Sequence, residues 1–105
     1  MDHQALKAFR QFDESRFTKV DFMKNEHSTA FTLNFLPGQS MKAHSHPGKE
    51  LYLVVIEGSG TFTVDGKEVL ATRGDVLFGG EKDRIGFENN GDNRTTLFGT
   101  LTKIG

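Results

Sequence analysis

The sequence predicts an all-β fold, its short strands closed into a barrel or stacked as a two-sheet sandwich. Three observations lead there. Strand-like runs follow one another with turn signals at roughly eight- to twelve-residue intervals. No long stretch carries the 3.6-residue period of an amphipathic helix. Asp65-Gly66 stands between two strand-like runs, as in a two-residue hairpin that requires positive φ.

The elements follow in order. Gln4 to Phe12 carries apolar residues at Ala5, Leu6, Ala8, Phe9 and Phe12 and reads as a short helix or an irregular arm. Arg16 to Met23 reads as the first strand, and Lys24-Asn25-Glu26 as a turn. Thr29 to Leu36 alternates, with Phe31, Leu33 and Phe35 on one face and Ala30, Thr32 and Asn34 on the other. Pro37-Gly38 ends it. Met41 to His46 is the third strand. Leu51 to Ile56 is apolar throughout and is expected to be buried on both faces. Thr61 to Val64 and Lys67 to Ala71 flank the Asp-Gly turn. Val76 to Phe78 follows the turn at Arg73-Gly74-Asp75. Arg84 to Asn89 alternates, with Ile85 and Phe87 on one side. Thr95 to Ile104 is the last strand. Residues 1–15 are expected to form an N-terminal arm and residues 16–105 one barrel domain.

Composition narrows the function classes. The chain has 105 residues, 35% apolar, with ten phenylalanines that can fill a small core. Its formal charge is −1, with no block of like charge, so strong nucleic-acid binding through counterion release is not expected. There is no cysteine, so neither a disulfide framework nor a thiolate site is available. The polar start Met1-Asp2-His3-Gln4 has no apolar stretch behind it, and the longest apolar run, Leu51 to Ile56, is far short of a membrane span. A cytoplasmic location without membrane contact is the default expectation.

The residues with chemistry cluster at Gly38-Gln-Ser-Met-Lys-Ala-His44-Ser-His46-Pro-Gly-Lys-Glu50. On a strand, His44 and His46 project from one face. Two imidazoles with a carboxylate from the next strand can form a three-ligand site for a divalent transition metal: Fe, Mn, Ni, Cu or Zn. An isolated His-x-His in a surface loop would more often do nothing. His27, beside a turn, and His3, near the terminus, read as solvated histidines.

The flanking spacing resembles the first cupin motif. That motif is a glycine, five residues, His-x-His, three or four residues, a glutamate, six residues and a glycine. Gly38, His44, His46 and Glu50 stand at this spacing, and Gly58 closes the strand. Gly74 and Asn89 match the ends of the second motif. The resemblance, over roughly Phe31 to Leu101, implies a cupin double-stranded β-helix, or jelly roll. It also implies metal ligands at His44, His46 and Glu50. Two departures bear on the metal. Ile85 stands where the second motif places a ligating histidine. One extra residue lies between Glu50 and Gly58, so counting back from Gly58 gives the ligand slot to Leu51. A one-residue slip turns a side chain to the opposite face.

Tyr52, Phe62, Phe78, Ile85 and Phe87 are the candidate pocket-lining residues, with core packing as their alternative role. Three functions stay open: a metal-dependent enzyme acting on a small organic molecule, a metal-free module binding a sugar or organic acid, and an assembly role without a ligand. Small cupins often pair, so the resemblance also implies a homodimer.

Overall fold

Side-chain alternation builds this fold, and every inward row continues across neighbouring strands. The computed structural model describes residues 1–105. Its strands are β1 (Thr18–Lys24), β2 (Ser28–Phe35), β3 (Ser40–His44), β4 (Lys49–Glu57), β5 (Ser59–Val64), β6 (Lys67–Thr72), β7 (Val76–Gly79), β8 (Ile85–Glu88) and β9 (Thr95–Lys103). All paired strands are antiparallel. One sheet has the order β1-β2-β9-β4-β7, the other β3-β8-β5-β6. The expected all-β architecture is therefore what the chain forms, as two antiparallel sheets. Asp65 and Gly66 adopt φ of 50° and 83°, and join β5 to β6 by the expected hairpin.

The core lies between the inner faces. Phe31, Leu33 and Phe35 of β2, Leu51, Leu53 and Val55 of β4, and Leu97 of β9 face Phe62, Ala71, Ile85 and Phe87 of the second sheet. Phe87 joins the two sheets. Its ring centroid is 4.9 Å from that of Phe35 and 5.0 Å from that of Phe62, at tilted and edge-on angles that aromatic quadrupoles favour. Gly99 of β9 leaves room for Phe31, whose ring a Cβ at that position would meet.

Register along the first sheet sorts the inner face into rows. Leu33, Leu97 and Val55 form one row, and Phe31, Gly99 and Leu53 the next. Then come Thr29, Leu101 and Leu51, and finally Lys103 opposite Lys49. The interior thus passes from aromatic and aliphatic to basic along the barrel.

Two expectations change here. The β4 segment is not buried on both faces: Leu51, Leu53 and Val55 are buried, but Tyr52 is exposed and Val54 and Ile56 are half-buried. No helix crosses its outer side, so the period of two persists despite the apolar outward residues. The Gln4–Phe12 segment contains only one 3-10 turn, Leu6–Phe9. The remainder of the arm is held by the outer face of β1 and β2. Phe9 stacks on Phe22 at 4.8 Å, and the Phe9 carbonyl accepts hydrogen bonds from Thr32 Oγ1 (2.6 Å) and Asn34 Nδ2 (3.1 Å). Arg10 Nε donates to Thr96 Oγ1 at 2.8 Å. These bonds explain how Thr32, Asn34 and Thr96 can be fully buried on a polar row.

Candidate functional site at the barrel mouth

His44 ends β3 and His46 lies in the loop before β4. The expected strand Met41–His46 is two residues shorter at its end, yet the extended chain still presents both rings to one side. Their centroids are 4.6 Å apart. His44 Nδ1 lies 2.8 Å from the Lys42 carbonyl, so the hydrogen is assigned to Nδ1 and the Nε2 lone pair is left free.

Between the rings and the first sheet opens a pocket lined by Lys19, Phe31, Leu33, Met41, His44, His46, Leu51, Leu53 and Leu101. It is mostly apolar, and its volume of about 40 Å³ suits a few waters or a small ligand group. Lys19 enters from β1. Its Nζ lies 4.6 Å from the Phe31 ring centroid and 2.6 Å from Asp21 Oδ1.

Glu50 does not join the histidines. The β4–β9 register runs unbroken from Lys49 to Val55, and its irregularity falls between Val55 and Glu57. Odd-numbered residues of this stretch therefore face inward, so Leu51 enters the pocket and Glu50 is exposed on the outer side. Ile85 stands directly opposite His44 in the β3–β8 pairing and is buried. Its Cδ1 would meet a Cβ placed at Gly79, which would also lie 3.8 Å from Leu51 Cβ. Leu51 thus lines the pocket beside the imidazoles with hydrocarbon, and Ile85 lies behind it in the packed core.

No group of three His, Cys, Asp or Glu side chains is placed to hold one metal ion. The donors at the mouth do not fit the metal that the cupin resemblance implies. Two imidazoles alone leave half of a tetrahedral shell, and more of an octahedral one, to be supplied by solvent.

The pocket-lining candidates also change place. Tyr52 and Phe78 are 51% and 47% exposed on the outer face, where their rings pair at 5.1 Å. They share the outward row because Tyr52 lies opposite Phe78 in the β4–β7 register. Phe62, Ile85 and Phe87 are inward-facing but belong to the packed core and do not line the histidine pocket. The lining residues that sequence reasoning missed are Lys19, Phe31, Leu33, Met41, Leu53 and Leu101. Lys19 was missed because only the pairing of β1 with β2, which sets it opposite Leu33, brings it to the inner face.

His46 titrates below its ordinary value of 6.5: burial disfavours its charged form, and His44, Lys49 and Lys19 add repulsion. The unfolded chain therefore takes up this proton more readily than the folded one. Stability from His46 is fully present above pH 6.5 and is lost as pH falls through the lower folded value. Thermal melts across this range should show the acid-side loss shrink in His46→Gln. An unchanged acid slope in that variant would refute the assignment.

The comparisons with known proteins agree on the fold. The cupin domain model matches residues 31–100. A structure of TT1209 from Thermus thermophilus superposes with a TM-score of 0.92 at 22% identity, covering 98% of each chain. An rmlC-like cupin protein from Desulfovibrio desulfuricans is 30% identical, with a TM-score of 0.83, covering 97% of this chain and 95% of its own. The tetracenomycin polyketide synthase protein TcmJ of Streptomyces glaucescens is 38% identical over 60 residues. That match takes in 57% of this chain, which spans only 40% of the length of that curated relative.

Proposed function

The chain belongs to the cupin family, and from that premise we propose that it is a metal-independent cupin that binds a small organic molecule at the barrel mouth. The observation that carries this reading is that Leu51, not Glu50, enters the pocket with His44 and His46, while Ile85 stands opposite His44 where the cupin resemblance implies a ligating histidine. The pocket keeps its polar wall, Lys19 and the two imidazoles, above an apolar floor of Phe31, Leu33 and Leu53. Few polar groups over a hydrophobic surface are the usual makeup of a small-molecule site. His44, with Nε2 free, offers a hydrogen-bond acceptor there. The likeness to a polyketide synthase protein supports an organic ligand.

The test is a thermal-shift screen of small organic acids and sugars on chelator-treated protein, with elemental analysis of the same sample. A ligand at about a hundred times its Kd should add about 2.7 kcal/mol of stability. The expected result is stabilisation by one or more compounds at negligible metal content. Stabilisation that appears only after a transition metal is added back would overturn the reading in favour of a metal-dependent site.

A further inference from the structure

The rim above this pocket carries a charge pattern that packing does not explain. Lys49 and Lys103 lie directly opposite each other on β4 and β9, one row outward from the Leu51–Leu101 pair. Both are on the inner, mouth-facing side, because Lys49, Leu51 and Leu53 alternate inward with Lys103 and Leu101. Like charges directly opposite on neighbouring strands destabilise a sheet. Neither lysine has a carboxylate partner, since the ion pair in the fold joins Lys19 to Asp21.

The same two lysines line a hollow of about 300 Å³ with Lys24, His27, Glu26 and Leu101. Leu101 is shared with the histidine pocket, so hollow and pocket adjoin. The groups that face the mouth are Lys19 and Asp21 from β1, Lys24, Glu26 and His27 at the β1–β2 turn, Lys49 on β4, Lys103 on β9, and His44 and His46. Asp21 is occupied by Lys19, and Glu26 is the other acid. The mouth is therefore cationic, although the whole chain has a formal charge of −1. Such a field concentrates anions at an opening.

We propose that the ligand is a small amphipathic organic anion, its charged end held between Lys49 and Lys103 and its short apolar body laid on Leu51 and Leu101. This rests on the small-molecule reading above and adds the chemical class. The pocket's lining is mostly apolar and Leu101 is shared with the hollow, so an apolar body can lie beside the two lysines. Lysines on flexible stems act as point charges, which suit a carboxylate without demanding a fixed fork geometry.

Benzoate is the probe, followed by amide chemical shifts and titration calorimetry, with benzamide as its neutral counterpart and inorganic phosphate as an anion without an apolar body. Benzoate should shift the amides of Lys49, Leu101 and Lys103, and weaken with added salt. The Lys49→Gln/Lys103→Gln double variant alters only exposed side chains and should fold. It should bind benzoate about tenfold more weakly or worse, the scale of losing a charge-assisted contact. Equal binding of benzoate and benzamide, or benzoate binding unaffected by the double substitution, overturns the anion anchor while leaving a small-molecule pocket in place. Phosphate binding as tightly as benzoate overturns the apolar contribution. If neither these probes nor the wider screen bind, both readings fall.

Discussion

Combining Leu51→Glu with Ile85→His should give this chain the metal site that its own donors leave incomplete. Leu51 faces the pocket with His44 and His46, and Ile85 stands opposite His44 on β8. Directly opposed residues on antiparallel strands hold their Cβ atoms about 4.5–5.5 Å apart, within reach of a shared ion. A carboxylate and a third imidazole would then join two imidazoles whose rings are already 4.6 Å apart. Metal content by elemental analysis should rise from near zero in the parent to near one ion per chain in the variant. Metal-free, the variant should melt lower, because each buried polar group without a partner costs about 1–3 kcal/mol. Adding the ion should reverse that loss by binding the folded state alone. A variant that folds but stays metal-free would show that the backbone at the mouth no longer has the required geometry. Equal metal uptake by the parent would show that two histidines suffice. Glu50→Gln should leave metal content and ligand binding unchanged, as the side chain is on the outer face.

Phe87→Ala should be the most damaging single truncation. The residue is 2% exposed and its ring touches both Phe35 and Phe62, so it ties the first sheet to the second. Its ring would also meet a Cβ at Gly60, which shows how little slack surrounds it. Truncating a buried Phe costs about 3–5 kcal/mol, since neighbours relax only partly into the cavity. At about 4–8 °C per kcal/mol for a domain of this size, Tm should fall by at least about 12 °C. Phe78→Ala, at a side chain 47% exposed, should cost about 1 kcal/mol or less. Similar melting losses for the two variants would contradict the assignment of Phe87 to the core and Phe78 to the outer face.

These two phenylalanines show what residue spacing can and cannot reveal. In the sequence each sits in a short strand-like run and each is a reasonable pocket wall. Only strand pairing separates them: Phe78 shares the outward row with Tyr52, and Phe87 meets Phe62 across β5 and β8. The two histidines are another case. Their shared side was legible because alternation is local, and it survives even though His46 falls outside β3. The basic rim was invisible, because Lys49 and Lys103 become neighbours only through the register of β4 with β9.

Legible in the chain alone were the succession of strands, the Asp65-Gly66 hairpin, the inward row of β2 and the cupin resemblance. Each depends on interactions between residues close in sequence, or on a spacing that the chain carries directly. Tertiary structure alone decided that Leu51 and not Glu50 enters the pocket, that the N-terminal arm buries Thr32 and Asn34, and that two lysines face each other at the mouth. All three depend on residues far apart in sequence. A strand's side chains have a period of two, so the irregularity between Val55 and Glu57 sets which β4 residues face inward, and only the partner strand records where it falls. The arm reaches Thr32 and Asn34 through the Phe9 carbonyl, and Lys49 meets Lys103 through the register of β4 with β9.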